Sequence, residues 1–193
     1  MKRYTILAMT LTALLWTASY VGASEYSATM ETTSPEGTFS AKVFVKGPWH
    51  RHEQDESIVL YNQKTGTTYS IIPSEKTYIE MTDENPYANP IKSMGEQNIA
   101  VGQSLSDADG TLERLPSETF AGYRCDVYRH TPNDLEFGPS TVWYSPKLHA
   151  SLKVIYDGPT GVITMEYSHI AEGPQDDKLF VLPKGYKKMD LQF

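Results

Sequence analysis

Between Tyr26 and Met81, apolar and polar residues alternate in short runs, each cut off by a turn signal. A period of two places successive side chains on opposite faces of an extended chain, so this pattern predicts strands with one buried and one wet face. Tyr26, Ala28 and Met30 alternate with Ser27, Thr29 and Glu31. Phe39, Ala41, Val43 and Val45 alternate with Ser40, Lys42, Phe44 and Lys46. Ser34-Pro35-Glu36-Gly37 carries proline second and glycine fourth, which suits a type I turn. Gly47-Pro48, the turn Gln63 to Gly66 and the turn Pro73 to Lys76 isolate four more runs, WHRHEQ, SIVLYN, TTYSII and TYIEM. Short strands at hairpin spacing predict one large antiparallel sheet, open or closed, with few and short helical turns.

The later chain continues the pattern after an interruption. Residues 82–98 contain two Asn-Pro steps and a glycine, which reads as a flap over one mouth of the sheet. TLERLPSE resumes strand pairing, with Pro116 confining it to an edge or a bulge. Phe120 to His130 follows and is expected to be a central rib of the sheet, paired with TVWYS at 141–145. Within it Tyr123, Cys125 and Val127 point one way, and Arg124, Asp126 and Tyr128 the other. LKVIY and VITMEYSHI flank a glycine-rich loop and predict a hairpin. Asp176 to Phe180 is led by acids and suits one helical turn, which Pro183 prevents from continuing. Tyr186 to Phe193 is expected to be an extended tail.

The first residues are read as an export signal. Lys2 and Arg3 precede an uncharged apolar run, and Val21-Gly22-Ala23 offers small residues for cleavage after Ala23. The alternative is an uncleaved anchor, since the run from Tyr4 to Ser24 is about long enough to span a bilayer. The expectation is therefore a signal peptide over 1–23 and one domain over 24–193, periplasmic or secreted, with no stable membrane span after cleavage. The net charge of −7 becomes more acidic once Lys2 and Arg3 are removed. That balance argues against nucleic acid, whose binding rests on neutralising phosphates, and against anionic membrane surfaces. One cysteine in an exported chain makes no internal disulfide, so the core must hold the fold unaided. Cys125 shares its strand face with Val127, which favours burial over reactivity.

No nucleophile or metalloprotease motif is present. Cys125 and His130 lie five residues apart on one strand, facing opposite sides and about 17 Å apart, too far for proton transfer. The speculative metal ligands are His50 and His52, which share a strand face; Glu80, His130 or His169 would have to supply a third ligand. The outer-face reading, a polar strand surface, competes with it. The Asp107 to Gly110 turn lacks the later glutamate of a full calcium loop. No cofactor is expected. The aromatics are more informative, with thirteen tyrosines in the chain and tryptophans at 49 and 143 of the mature part. Their apolar bodies and polar tips suit both a core and an apolar ligand pocket. Trp49, Tyr69, Tyr78, Tyr123, Trp143 and Tyr156 are the candidate pocket residues.

Five motifs in order carry a family resemblance. They are VFVKGPWHRHEQ; Pro73, Lys76, Tyr78 and Glu80; Gly122, Tyr123, Cys125 and Tyr128; Val142, Trp143 and Ser145; and the run from Gly173 to Lys187. Together they resemble a family of exported bacterial proteins of unknown function, similar to the outer-membrane lipoprotein carriers (LolA and LolB). The resemblance implies a curved antiparallel sheet forming an incomplete, LolA-like half barrel whose concave face holds an apolar cavity. It implies no catalytic residues. The expected function is then non-enzymatic binding of a lipid or other apolar small molecule. The alternatives are an envelope module with a filled core that binds a protein, and a metal-dependent enzyme using His50 and His52.

Overall fold

The computed structural model describes residues 24–82, 110–133 and 138–189. The leader, the expected flap and most of the Asp107 to Gly110 turn lie outside the described residues. Six strands come from the first half: β1 (Glu25–Ser34), β2 (Gly37–Lys46), β3 (Trp49–Gln54), β4 (Ser57–Asn62), β5 (Thr67–Ile72) and β6 (Thr77–Met81). The second half supplies β7 (Gly110–Phe120), β8 (Tyr123–Pro132), β9 (Ser140–Ser145), β10 (Ala150–Gly158), β11 (Gly161–Glu172) and the two-residue β12 (Lys187–Lys188). A single 3-10 turn, Asp177–Phe180, precedes β12.

All twelve strands form one open, curved sheet in the order β12-β6-β5-β4-β3-β2-β1-β11-β10-β9-β8-β7. It consists of two meanders, β1 to β6 and β7 to β11, in which each strand pairs with its sequence neighbours. The β1–β11 pairing joins them, with Met30 opposite Tyr167. That seam slips where Ala28 faces both His169 and Ile170, and His169 takes the bulge conformation at φ 50°. Pro116 behaves as its chemistry requires, on the edge strand β7 and inside a register shift between Leu115 and Glu118.

The open, curved sheet is antiparallel as expected from β1 to β11, and one expectation about position is corrected. At the sheet's edge the two-residue β12 adds a parallel pairing with β6, Lys187 opposite Thr77, which makes the sheet mixed. Lys187 N–H donates to Lys76 O at 2.9 Å and Met189 N–H to Tyr78 O at 2.8 Å, so the tail caps an edge that would otherwise be open. The stretch Phe120 to His130 is not a central rib. Its strand, β8, is second from the edge, and the middle of the order is β2, β1 and β11. Strength of strand pattern reports burial of a face, which a near-edge strand can have.

Among the described residues three hydrophobic clusters form the core. The largest gathers Tyr26 and Ala28 of β1, Val43 and Val45 of β2, Cys125, Leu148, Ala150, Leu152 and Tyr167. Phe39, expected on the same face as Ala41 and Val43, lies near the hairpin end of β2 and is half exposed. A second cluster lies on the opposite face of β2 to β6. Register places Phe44, Arg51, Leu60 and Tyr69 in one row across β2 to β5. Phe180 packs on Leu60 and Ile71 there, with Leu179, Leu182 and Tyr186 beside it. Arg51, itself buried, donates from Nη1 to Leu179 O at 2.9 Å and pairs with Glu53 at 2.7 Å. Asp176 caps the 3-10 turn by accepting from Lys178 N at 2.9 Å. A small third cluster joins Val142 and Val154 to Tyr128, Tyr144 and Met165.

Cys125 is fully buried and belongs to the largest cluster. Burial pushes its thiol above the ordinary value. It should react with an uncharged maleimide about two orders of magnitude more slowly in the native protein than in urea. Native labelling as fast as unfolded labelling would contradict its placement in the core.

Candidate functional site

The six candidate aromatics separate into different environments. Trp49, Tyr69 and Tyr78 lie in the second cluster, beneath the chain's own residues 179–186. Tyr69 and Tyr78 meet edge-on, with ring centroids 6.1 Å apart. Trp143 packs against the largest cluster, its indole N–H donating to Glu118 Oε2 at 2.8 Å, with Lys153 5.2 Å from its ring. Tyr156 lies across Gly158, where an added Cβ would clash with its ring. Tyr123 alone of the six lines the cleft described below.

His50 and His52 share the face of Val45 and Val43, across which they pair. Burial pushes both imidazoles down to about 4, and His52 adds repulsion at His50. Glu80 lies on the opposite face, opposite Tyr69, and pairs with Lys188 at 2.7 Å. His169 occupies the bulge of β11 and bonds Ser168. Among the described residues no three His, Cys, Asp or Glu side chains gather as a metal-binding group. Cys125 and His130 pair with residues six apart on β7, Glu118 and Leu112.

A cleft of about 660 Å³ opens beside the β7–β8 turn. That turn is built by Ala121 and Gly122, both at positive φ (49° and 83°), the geometry of a two-residue type I′ hairpin. Arg114, Tyr123, Arg124, Asp126, Lys147, Ile170 and Glu172 are among its lining residues. The β7–β8 hairpin, the turn between β9 and β10, and β11 supply them. Glu172, at the end of β11, accepts from Tyr123 Oη at 2.9 Å and from Lys147 Nζ at 2.6 Å. The Lys147 and Tyr123 bonds hold its carboxyl below the usual range, and the same bond raises Lys147. Lys147 also stands 5.4 Å from the Tyr123 ring centroid. On the other side Asp126 Oδ1 accepts from Arg114 Nη2 and from Ser117 Oγ, each at 3.1 Å. The arrangement offers an aromatic and an aliphatic surface beside fixed charges, which suits binding. Sequence parity places Tyr123 and Arg124 on opposite faces of one strand, and nothing local in the sequence signals that both line a single cleft with Lys147, Ile170 and Glu172.

Solved structures share this fold at low sequence identity. An uncharacterized conserved protein from Thermus thermophilus superposes with a TM-score of 0.57 at 8% identity, covering 86% of this chain and 90% of that one. The MucA/MucB complex of Pseudomonas aeruginosa gives 0.56 at 14% identity, covering 82% of this chain and 56% of that one. The chain thus spans about half of that neighbour's length. The LolA superfamily protein NE2245 from Nitrosomonas europaea aligns over 84% of this chain and 91% of that one at 13% identity, with a looser TM-score of 0.33. The first two likenesses are of fold, and one fold carries many functions. No curated protein sequence matches the chain. The pattern of the family described as "Domain of unknown function (DUF4412)" matches residues 27–151, and the chain belongs to that family.

Proposed function

We propose that this is an exported, non-enzymatic binding protein of the cell envelope that takes up an apolar or amphipathic small molecule in the cleft beside the β7–β8 turn. The observation that carries the reading is that cleft, of about 660 Å³, a size ordinary for small-molecule sites, with Tyr123 and Ile170 in its lining. Trp49, Tyr69 and Tyr78 support core packing, because the C-terminal segment already occupies their side of the sheet. Burial of ligand surface against Tyr123 and Ile170 would supply about 25 cal/mol per Å². Export rests on the N-terminal signal pattern and on the envelope setting that the family resemblance implies.

The test is to purify residues 24–193 from the host envelope and record native mass spectra before and after organic extraction. A bound apolar mass, or saturable uptake of an uncharged fluorescent probe that Tyr123→Ala weakens about tenfold, is expected. A ligand-free protein that takes up no probe overturns the reading. A protein partner is the second reading, since MucB, a neighbour in fold, is solved in complex with MucA.

A further inference from the structure

We infer that the cleft selects amphipathic molecules with an anionic oxyanion head, carboxylate or phosphate, and that Arg124 is the residue that reads the head. This rests on the reading of the cleft as the ligand site and adds the chemical class of its ligand.

The charges lining the cleft point to that class. Three are cations, Arg114, Arg124 and Lys147, and two are carboxylates, Asp126 and Glu172. The carboxylates are already matched within the fold. Arg114 pairs with Asp126 at 3.1 Å, and Lys147 pairs with Glu172 at 2.6 Å. Arg124 has no ion-pair or hydrogen-bond partner among the described residues and lies exposed on β8, opposite Thr119. A surplus guanidinium therefore faces the cleft in a chain whose net charge is −7. Guanidinium presents a planar fork of donors that fits carboxylate and phosphate oxygens, so its preferred guest is an oxyanion.

The matched pairs have a second effect. Asp126 Oδ1 and Glu172 Oε1 each accept from two internal donors, so the two carboxylates are engaged by Arg114, Ser117, Tyr123 and Lys147 and not by Arg124. Tyr123 leaves the strand on the face opposite Arg124, but the cleft at the strand's end is lined by both residues and by Ile170, so an apolar chain has surface to cover near the anchored head. A cationic head would meet Arg124 unfavourably. A neutral head would forgo its charge-assisted bonds.

Binding of single-chain C12 probes below their micellar concentration tests this. Dodecanoate and dodecyl phosphate provide the anionic heads, dodecyl maltoside the neutral one and dodecyltrimethylammonium the cationic one. Acetate and inorganic phosphate serve as heads without chains. The wild-type protein should bind the two anionic probes about tenfold more tightly than the maltoside. Arg124→Gln should abolish that preference while leaving maltoside binding unchanged, and Arg124→Lys should restore part of it. Arg129→Gln, the same charge change on β8 outside the cleft lining, should leave it intact. Equal binding of all heads, or a preference that survives Arg124→Gln, overturns the inference and leaves the binding reading standing. Acetate and phosphate binding as tightly as the C12 anions overturns the amphipathic class. Failure of every C12 probe to bind removes the binding reading itself.

Discussion

Replacing Phe180 by alanine should lower the unfolding free energy by about 3 kcal/mol, a large fraction of the stability of an ordinary domain. Phe180 is 5% exposed, and the two residues it packs on, Leu60 and Ile71, are fully buried. Truncation removes the ring's own burial and leaves a gap against Leu60 and Ile71. The surrounding segment is short and free to sink toward the gap, which keeps the expected loss at the lower end of the range for buried phenylalanines. Val181 is the natural control. It is adjacent in sequence but 56% exposed, and Val181→Ala should change stability by less than about 0.5 kcal/mol. Urea unfolding of both variants at pH 7 measures the difference. Equal stabilities for the two would show that the C-terminal segment is not part of the core.

The same segment shows where sequence reading stops. β1 to β6 were legible because each pairs with its neighbour in sequence, and hairpins leave a local record: period-two alternation, then proline, glycine or asparagine. Parity correctly paired Cys125 with Val127 and separated it from His130. Pro116 announced its own edge and bulge, since a residue without an N–H fits few other places in a sheet. Parity names a face, however, and does not say what lies over it. Trp49, Tyr69 and Tyr78 therefore read equally well as pocket and as core until the tail was seen to cross them. The β1–β11 seam and the parallel β12 were illegible for a related reason. Their registers are set by contacts more than a hundred residues apart, for which no local residue choice is diagnostic. The cleft has the same character. Tyr123 marked one wall, but Lys147 and Glu172 are brought there only by the curl of the sheet.

Acid should destabilise the fold steeply between pH 6.5 and 4, through His50 and His52. Both imidazoles are held down to about 4 in the folded protein, from an ordinary 6.5. The unfolded chain takes up protons at these positions as the pH falls through 6.5, and the folded chain does not until about 4. The unfolded state therefore binds more protons throughout that window, and stability rises with pH across it. The contribution is complete above about 6.5 and lost as the pH falls toward 4. Each imidazole would account for about 2 kcal/mol between pH 7 and pH 5, and the pair for about 2 to 4, because the first proton on one opposes the second. The cause at both sites is chiefly burial. At His50 a hydrogen bond to Gln63 works the other way, and its ring tilts against Tyr61 with centroids 6.3 Å apart. On their shared face the register sets them against Val45, Val43, Tyr61 and Val59, none of which offers a carboxylate to stabilise an imidazolium. Urea unfolding at pH 7 and pH 5 should show the midpoint falling by on the order of 1–2 M in the wild type. In a His50→Gln/His52→Gln variant, which starts less stable at pH 7, that fall should shrink to a few tenths of a molar. An equal fall in the variant would assign the acid sensitivity to carboxylates elsewhere in the fold and not to these two partly buried imidazoles.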